Sequence, residues 1–309
     1  MQFIVLLLMS LLATIGDSQA QHPEPVRAPK ALVFKEAYLI ESDILPELSG
    51  LTYVDGKLLT VSDKHQEQIF SIIIKNGAAT LENYLHICSP DVGKLDLEGI
   101  TSDSAGNLFV LSERQSRILC FPKGSDQGFW FTPSFKKEGN NKNLLLQKNT
   151  GFEGLAFLAP NLFVACAERE DRGLISWKVP DMEKGGADSI IALNCDESKF
   201  GNVKNRNLDF AGACFFGEKL VVLQRNSHVV SVISGYRSGA FEETQAWSYE
   251  HVENDPNYRY KDRRYGLGEG ICIVDDLIYI VFDNNRDTRE IDEKDRRPLL
   301  LVFEKPDDL

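Results

Sequence analysis

An all-β fold built from five copies of one unit is what this sequence predicts, and three observations predict it. First, a short x-Gly-hydrophobic segment recurs five times, each time followed 12 to 14 residues later by an acidic or amide residue closing an apolar run. The copies are Leu48-Ser49-Gly50-Leu51 to Asp63, Leu97-Glu98-Gly99-Ile100 to Glu113, Phe152-Glu153-Gly154-Leu155 to Glu168, Phe210-Ala211-Gly212-Ala213 to Gln224, and Gly268-Glu269-Gly270-Ile271 to Asp283. Second, the five glycines stand 49, 55, 58 and 58 residues apart. Third, the apolar runs inside each copy are short and continuous, as in strands buried on both faces. A near-constant period of this size filled with strands is the signature of a β-propeller with one blade per repeat. The expectation is a single five-bladed β-propeller over residues 31–305, with six blades as the alternative if 131–150 hides one.

Taken in order, Met1 to Ala20 reads as a cleavable signal segment. Its apolar run, Phe3 to Leu12, is too short to span a bilayer, and small residues precede Gln21. The expected localisation is therefore secreted or periplasmic. Gln21 to Lys30 holds three prolines and reads as an extended lead-in. Ala31 to Ile40 is a strand. Each repeat then opens with an inner strand, such as Gly50 to Val54. A turn follows, such as Asp55-Gly56 or Ala105-Gly106-Asn107, whose residues tolerate tight or left-handed geometry. The second strands are Leu58 to Ser62, Leu108 to Ser112, Leu162 to Ala167, Leu220 to Leu223 and Leu277 to Phe282. Third strands are expected at Ile69 to Ile73, Ile118 to Phe121, Leu174 to Trp177, Val229 to Ile233 and Leu299 to Phe303. The last repeat lacks an outer strand, and Ala31 to Ile40 is placed to supply it, which would close the ring and remove an open sheet edge. Phe131 to Thr150, Glu183 to Leu208 and Glu250 to Leu267 read as polar insertions over one mouth.

The chain is acidic, with a formal net charge of -12, which disfavours nucleic acid and anionic membrane as partners. Of the six cysteines, Cys166, Cys214 and Cys272 fall inside apolar strands as small core residues. Cys88, Cys120 and Cys195 fall nearer outer strands or loops, where one disulfide has room to form. No C-x-x-C, Gly-x-Ser-x-Gly, P-loop or His-Glu-x-x-His occurs.

The repeat builds a site. In an antiparallel hairpin the start of the first strand lies beside the end of the second. Glu98, Glu153 and Glu269 at strand starts, and Asp63, Glu113, Glu168 and Asp283 at strand ends, are therefore expected to converge on one mouth. Seven carboxylates there repel one another unless protons, arginines or a cation compensate. Lys64, Arg114, Arg169 and Arg225 each follow the strand-end residue directly and are expected on the other face of the strand, paired with a neighbouring blade. The residues leave two readings open. In one, calcium binds through many oxygens in loose geometry. In the other, the carboxylates cap backbone N–H groups between blades and no metal binds. His65 and His228 closely follow second strands and are placed to reach the same mouth or the open surface.

The elements Glu47-Leu48-Ser49-Gly50-Leu51-Thr52, Asp96-Leu97-Glu98-Gly99-Ile100, Asn149-Thr150-Gly151-Phe152-Glu153-Gly154-Leu155-Ala156-Phe157, Asp209-Phe210-Ala211-Gly212-Ala213 and Glu269-Gly270-Ile271 resemble, in order, the blade motifs of the SdiA-regulated family of bacterial envelope proteins. The resemblance implies a five-bladed propeller, distantly similar to NHL-repeat propellers, with a calcium site, and no established activity. A looser likeness to phytase-like esterases rests on Glu-Gly-Ile/Leu followed by Ser-Asp or Ser-Glu strand ends. The leading expectation is an exported calcium-binding propeller acting as a binding or scaffold module. The alternative is a metal-dependent hydrolase (phosphoesterase, esterase or lactonase), in which one of Glu98, Glu153 or Glu269 stays off the metal and serves as base.

Overall fold

The computed structural model describes residues 27–88, 94–147, 151–169, 171–200 and 206–309. The expected signal segment and most of the lead-in lie outside the described residues. What is described is a β-propeller of five four-stranded units.

The first unit runs Leu48–Val54, Lys57–Ser62, Gln68–Lys75 and Ala78–His86, and the second Leu97–Ser102, Leu108–Ser112, Arg117–Phe121 and Phe129–Trp130. The third is Phe152–Leu158, Leu162–Ala167, Gly173–Lys178 and Asp188–Asn194. The fourth is Gly212–Phe216, Lys219–Gln224, Val229–Ser234 and Glu242–Ser248. Gly268–Val274, Leu277–Phe282 and Leu299–Glu304 begin the fifth, and Val33–Glu41 completes it by pairing antiparallel with Leu299–Glu304. The strand expected at Ala31 to Ile40 thus does close the ring. Its far end also pairs in parallel with the first unit, Ile40 opposite Ala79, so the first and fifth units share one eight-stranded sheet. Just before it, Lys30–Ala31 adds a short parallel strand to the outer edge of the fourth unit.

The first strand of each unit packs against the first strand of the next, all the way round. Aliphatic and aromatic side chains fill the wedges between units. One wedge packs Phe109, Phe131, Phe163 and Trp177, with Phe163 and Trp177 stacked at 5.5 Å. Phe131, Phe135, Leu144 and Leu145 are buried in that wedge around the short helix Lys136–Asn140. That stretch therefore packs into the core, where a polar insertion was expected, and holds no sixth sheet among its described residues. Asp188–Asn194, inside another expected insertion, is the outer strand of the third unit. All six cysteines are free, so the one disulfide for which Cys88, Cys120 and Cys195 had room does not form; Cys120 and Cys195 are buried instead. No helix among the described residues is long and apolar enough to cross a membrane.

The repeat glycine has a steric cause. A Cβ on Gly50 would stand 2.5 Å from the Glu98 carbonyl oxygen, and one on Gly99 2.8 Å from Leu155 N. Gly154 meets Gly212 and Ala213 in the same way, Gly212 meets Glu269 O, and Gly270 returns to Gly50 and Leu51, all at 2.7 to 2.8 Å. Each inner strand thus rests its glycine on the backbone of the next. The channel inside this ring leaves no room for a water molecule.

Candidate functional site: an acidic cup at the mouth of the ring

In four units the register slips at the x-Gly step: between Leu48 and Leu51, Leu97 and Ile100, Phe152 and Gly154, and Gly268 and Gly270. A bulge frees one residue from the ladder and re-aims its side chain. The freed residues are Ser49, Glu98, Glu153 and Glu269, and all four face a cavity of about 520 Å³ above the glycine ring. Asp63, Glu113, Glu168 and Asp283, at the ends of second strands, line the same cavity. The structure therefore gathers all seven expected carboxylates. It adds Glu47 and Asp96, each just ahead of an inner strand with φ at 43° and 52°. Both were visible in the repeat motifs as the acid preceding the apolar residue.

Cations in the cup depart from expectation. Lys64, Arg169 and Arg225 line the cavity, where the far face of the strand was expected. Their strands end earlier, so strand alternation no longer governs where they point. Arg225 is the central one. The pairs Gly212–Leu223, Gly154–Cys166 and Gly270–Val281 are equivalent rungs. Counting two residues on from each places Arg225 level with Glu168 and Asp283. Arg225, and not Gln224, is thus the fourth copy's strand-end residue. Gln224 turns into the blade, where it accepts from Arg172 at 2.5 Å and donates to Glu243 at 2.7 Å. Arg225 Nε donates to Asp209 Oδ2 at 3.0 Å, and its two terminal nitrogens pair with Glu269 and Glu168. With Ala211 in place of the inner glutamate, the fourth unit gives the cup a cation and no inner-strand acid.

The remaining contacts are at the wall. Ser49 Oγ donates to Glu98 Oε2 at 2.6 Å. Lys64 bridges Glu47 (3.3 Å) and Asp63, Lys94 holds Asp96 at 3.0 Å, Arg169 holds Glu168, and Arg286 reaches Glu47 at 2.5 Å. Glu153 is 8 % exposed, and Glu269 Oε2 and Asp63 Oδ1 are buried without a hydrogen-bond partner among the described residues. Arg114, His65 and His228 do not line the cup; His228 is buried behind it against Glu253.

The charges are strained. Burial first, and neighbouring carboxylates second, lift Glu113 to about 7. Burial lifts Asp283 to about 7, and lifts Glu269 to about 8 against the pull of Arg225. Glu98 and Glu153 are pushed well above the usual carboxylate range, again by burial first, and then by Asp63, Glu269 and Glu113 for Glu98 and by Glu98, Glu168 and Glu269 for Glu153. Such a site takes up protons or cations to relieve itself. Its oxygen-only donors suit a hard divalent cation. Among the described residues, however, no three acidic, His or Cys side chains already stand at the mutual spacing that holds an ion.

Fold and site define a β-propeller with an acidic, blind cup at one mouth. Residues 44–175 match the phytase-like family, described as esterase-like activity of phytase. No curated protein sequence matches the chain. Among solved structures the chain is similar to glutaminyl cyclase from Myxococcus xanthus, with a TM-score of 0.56 at 10% identity, over 92% of this chain and 100% of that one. That likeness is one of fold. Streptogramin B lyase aligns with a TM-score of 0.47 at 10% identity, over 87% and 98% of the two chains.

Proposed function

We propose that the chain is a calcium-dependent propeller whose cup binds the cation on its floor and an ester or phosphoester at its open side, which it hydrolyses. The observation that carries this is imbalance: nine carboxylates against four cations line one cavity of about 520 Å³. The match of residues 44–175 to a family described by esterase-like activity supports the reaction class. Glu98, Glu153 and Glu269, with Asp63 and Asp283 beside them, would hold the cation: Glu269 Oε2 and Asp63 Oδ1 are buried without a partner among the described residues, whereas Glu168 carries two arginines, Arg169 and Arg225. A cation bound there would polarise a phosphoryl or carbonyl oxygen. Glu113, poised at about 7, is the carboxylate able to give and take a proton near neutral pH. Lys64, released when Asp63 turns to the cation, would orient an anionic substrate, with Lys94 and Arg169 on the same wall.

A second reading is a binding or scaffold module that holds calcium without catalysis, favoured by a cup lining of carboxylates and cations with no histidine or cysteine among its described residues. Export through the apolar amino-terminal segment, and kinship with the SdiA-regulated family, belong to both readings.

The test is thermal unfolding in excess EDTA and in millimolar calcium for the wild type, Glu98→Gln and Glu153→Gln, followed by turnover of p-nitrophenyl phosphate and p-nitrophenyl acetate. A ligand at about 100 times its Kd stabilises by about 2.7 kcal/mol. The expected result is a calcium-dependent rise in Tm that both substitutions weaken, with calcium-dependent turnover. A rise without turnover selects the binding module. A wild type whose Tm ignores calcium removes the cation from both readings.

A further inference from the structure

The segment Arg263 to Leu267 overhangs the cup, and one cluster behind it holds three of its backbone groups. Arg206 Nη2 donates to the Arg263 carbonyl. Asn226 Oδ1 accepts from Gly266 N–H at 3.2 Å, and Glu253 Oε1 accepts from Leu267 N–H at 3.1 Å. Between these anchors, Tyr265 and Gly266 line the cavity, and Tyr265 is 57% exposed. At the centre of the cluster is His228, 3% exposed. Its Nδ1 lies 2.7 Å from Glu253 Oε2, and its Nε2 lies 2.8 Å from Arg206 Nη1. An arginine has no lone pair to offer. Nε2 is therefore the acceptor, Nδ1 carries the proton, and the ring is neutral in this arrangement. The charged groups facing the ring are Glu253 and Glu250 from the helical turn Glu250–Glu253, and Arg206 from the opposite side; the Tyr249 ring meets it edge-on at 5.9 Å.

We propose that His228, Glu253 and Arg206 form a proton-operated latch on the cup: the Arg263 end of the rim is closed while His228 is neutral and released when Nε2 takes a proton. Protonation removes the acceptor that Arg206 uses and sets two cations face to face. The same proton strengthens the His228–Glu253 pair, so the buried ring keeps one partner and the blade stays folded. Arg206 then leaves, and its bond to the Arg263 carbonyl goes with it. Gly266 and Leu267 remain tied to Asn226 and Glu253, which confines the movement to one end of the rim. Burial opposes charge on the ring, yet the Glu253 carboxylate outweighs it and lifts His228 above the usual histidine range. His228, Glu253 and Arg206 are positioning residues. They act on the cup through the segment that carries Tyr265.

This inference rests on the cup being a ligand site, so its test has a part that needs no ligand. Hydrogen exchange of the 262–265 segment, corrected for intrinsic rates, is measured at about pH 9 and about pH 6, on either side of the raised histidine. Protection is expected to fall about ten-fold in the wild type and to stay constant in His228→Gln, whose amide accepts from Arg206, donates to Glu253 and takes no proton. Unchanged protection in the wild type, or the same fall in His228→Gln, overturns the latch. Should His228→Gln fail to fold, Arg206→Met serves: low protection at both pH values supports the latch, and a pH-dependent protection in it overturns the latch. Calcium release to a chelating dye is the second part: the cup carboxylates speed it at the lower pH in both proteins, and the wild type is expected to speed up more than His228→Gln. A working latch on a chain that binds no calcium would sink the cup's proposed ligand and leave the latch standing.

Discussion

Arg225 decides the charge balance of the cup at the scale of single residues. It is 8% exposed and binds Asp209, Glu168 and Glu269. Removing one partner of a buried ion pair costs about 3–5 kcal/mol, because the charge left behind has no compensation. Arg225→Gln is therefore expected to lower Tm in EDTA by about 10 °C, taking about 2–4 °C per kcal/mol for a chain of this size. Calcium should restore more of that loss than it adds to the wild type, since it replaces a missing cation. Melting curves of both proteins with and without calcium check this, and equal calcium gains in the two would contradict it. The sequence hid Arg225 for a geometric reason. Spacing alone made Gln224 the closing residue of the fourth copy, and an amide there matched the acids elsewhere. Strand side chains alternate, so an error of one residue swaps the cup for the blade interior. The seven acids were legible because three bulges and four strand ends carry them at a nearly constant offset from the glycine.

Among the elements, the inner strands are the most constrained, and their glycines were the clearest feature of the sequence. None of the five has the left-handed backbone that favours glycine; each is required by the closeness of the next strand. Gly99→Ala and Gly154→Ala should each destabilise by about 1–3 kcal/mol, because the added methyl meets backbone, which cannot rotate away. Chemical denaturation compares them with Glu82→Ala, at an exposed position of the outer strand Ala78–His86. A ring substitution as mild as that control would count against the steric account. First, second and third strands were readable because burial on both faces makes them continuous apolar runs. Outer strands, Val33–Glu41 apart, were not. Asp188–Asn194 is half-buried and mixed in composition, and Phe129–Trp130 is only two residues long. Their pairing comes from the blade beside them and leaves little pattern of its own.

The whole molecule carries the strain of the cup as a dependence of stability on pH. Folding lifts Glu113 and Asp283 to about 7 and Glu269 to about 8. Between the ordinary carboxylate range and those values, the folded chain binds more protons than the unfolded one. Stability therefore falls as pH rises through that window. In EDTA, Tm is expected to be higher at about pH 5 than at about pH 8, the reverse of a protein held by ion-paired carboxylates. Calcium should flatten the slope by taking the place of the protons. Differential scanning calorimetry across that range checks it, and a Tm that rises with pH in EDTA would refute the account. The ring has a further consequence, in time rather than energy. Val33–Glu41 is the first strand of the fifth blade to be synthesised, and its partner Leu299–Glu304 is the last. Until synthesis reaches that partner, the early strand has no antiparallel mate, and a growing chain holds an open arc with both faces of the gap bare. Closing so long a loop is slow, so the interval before closure is when this chain is most exposed to aggregation and most in need of a chaperone.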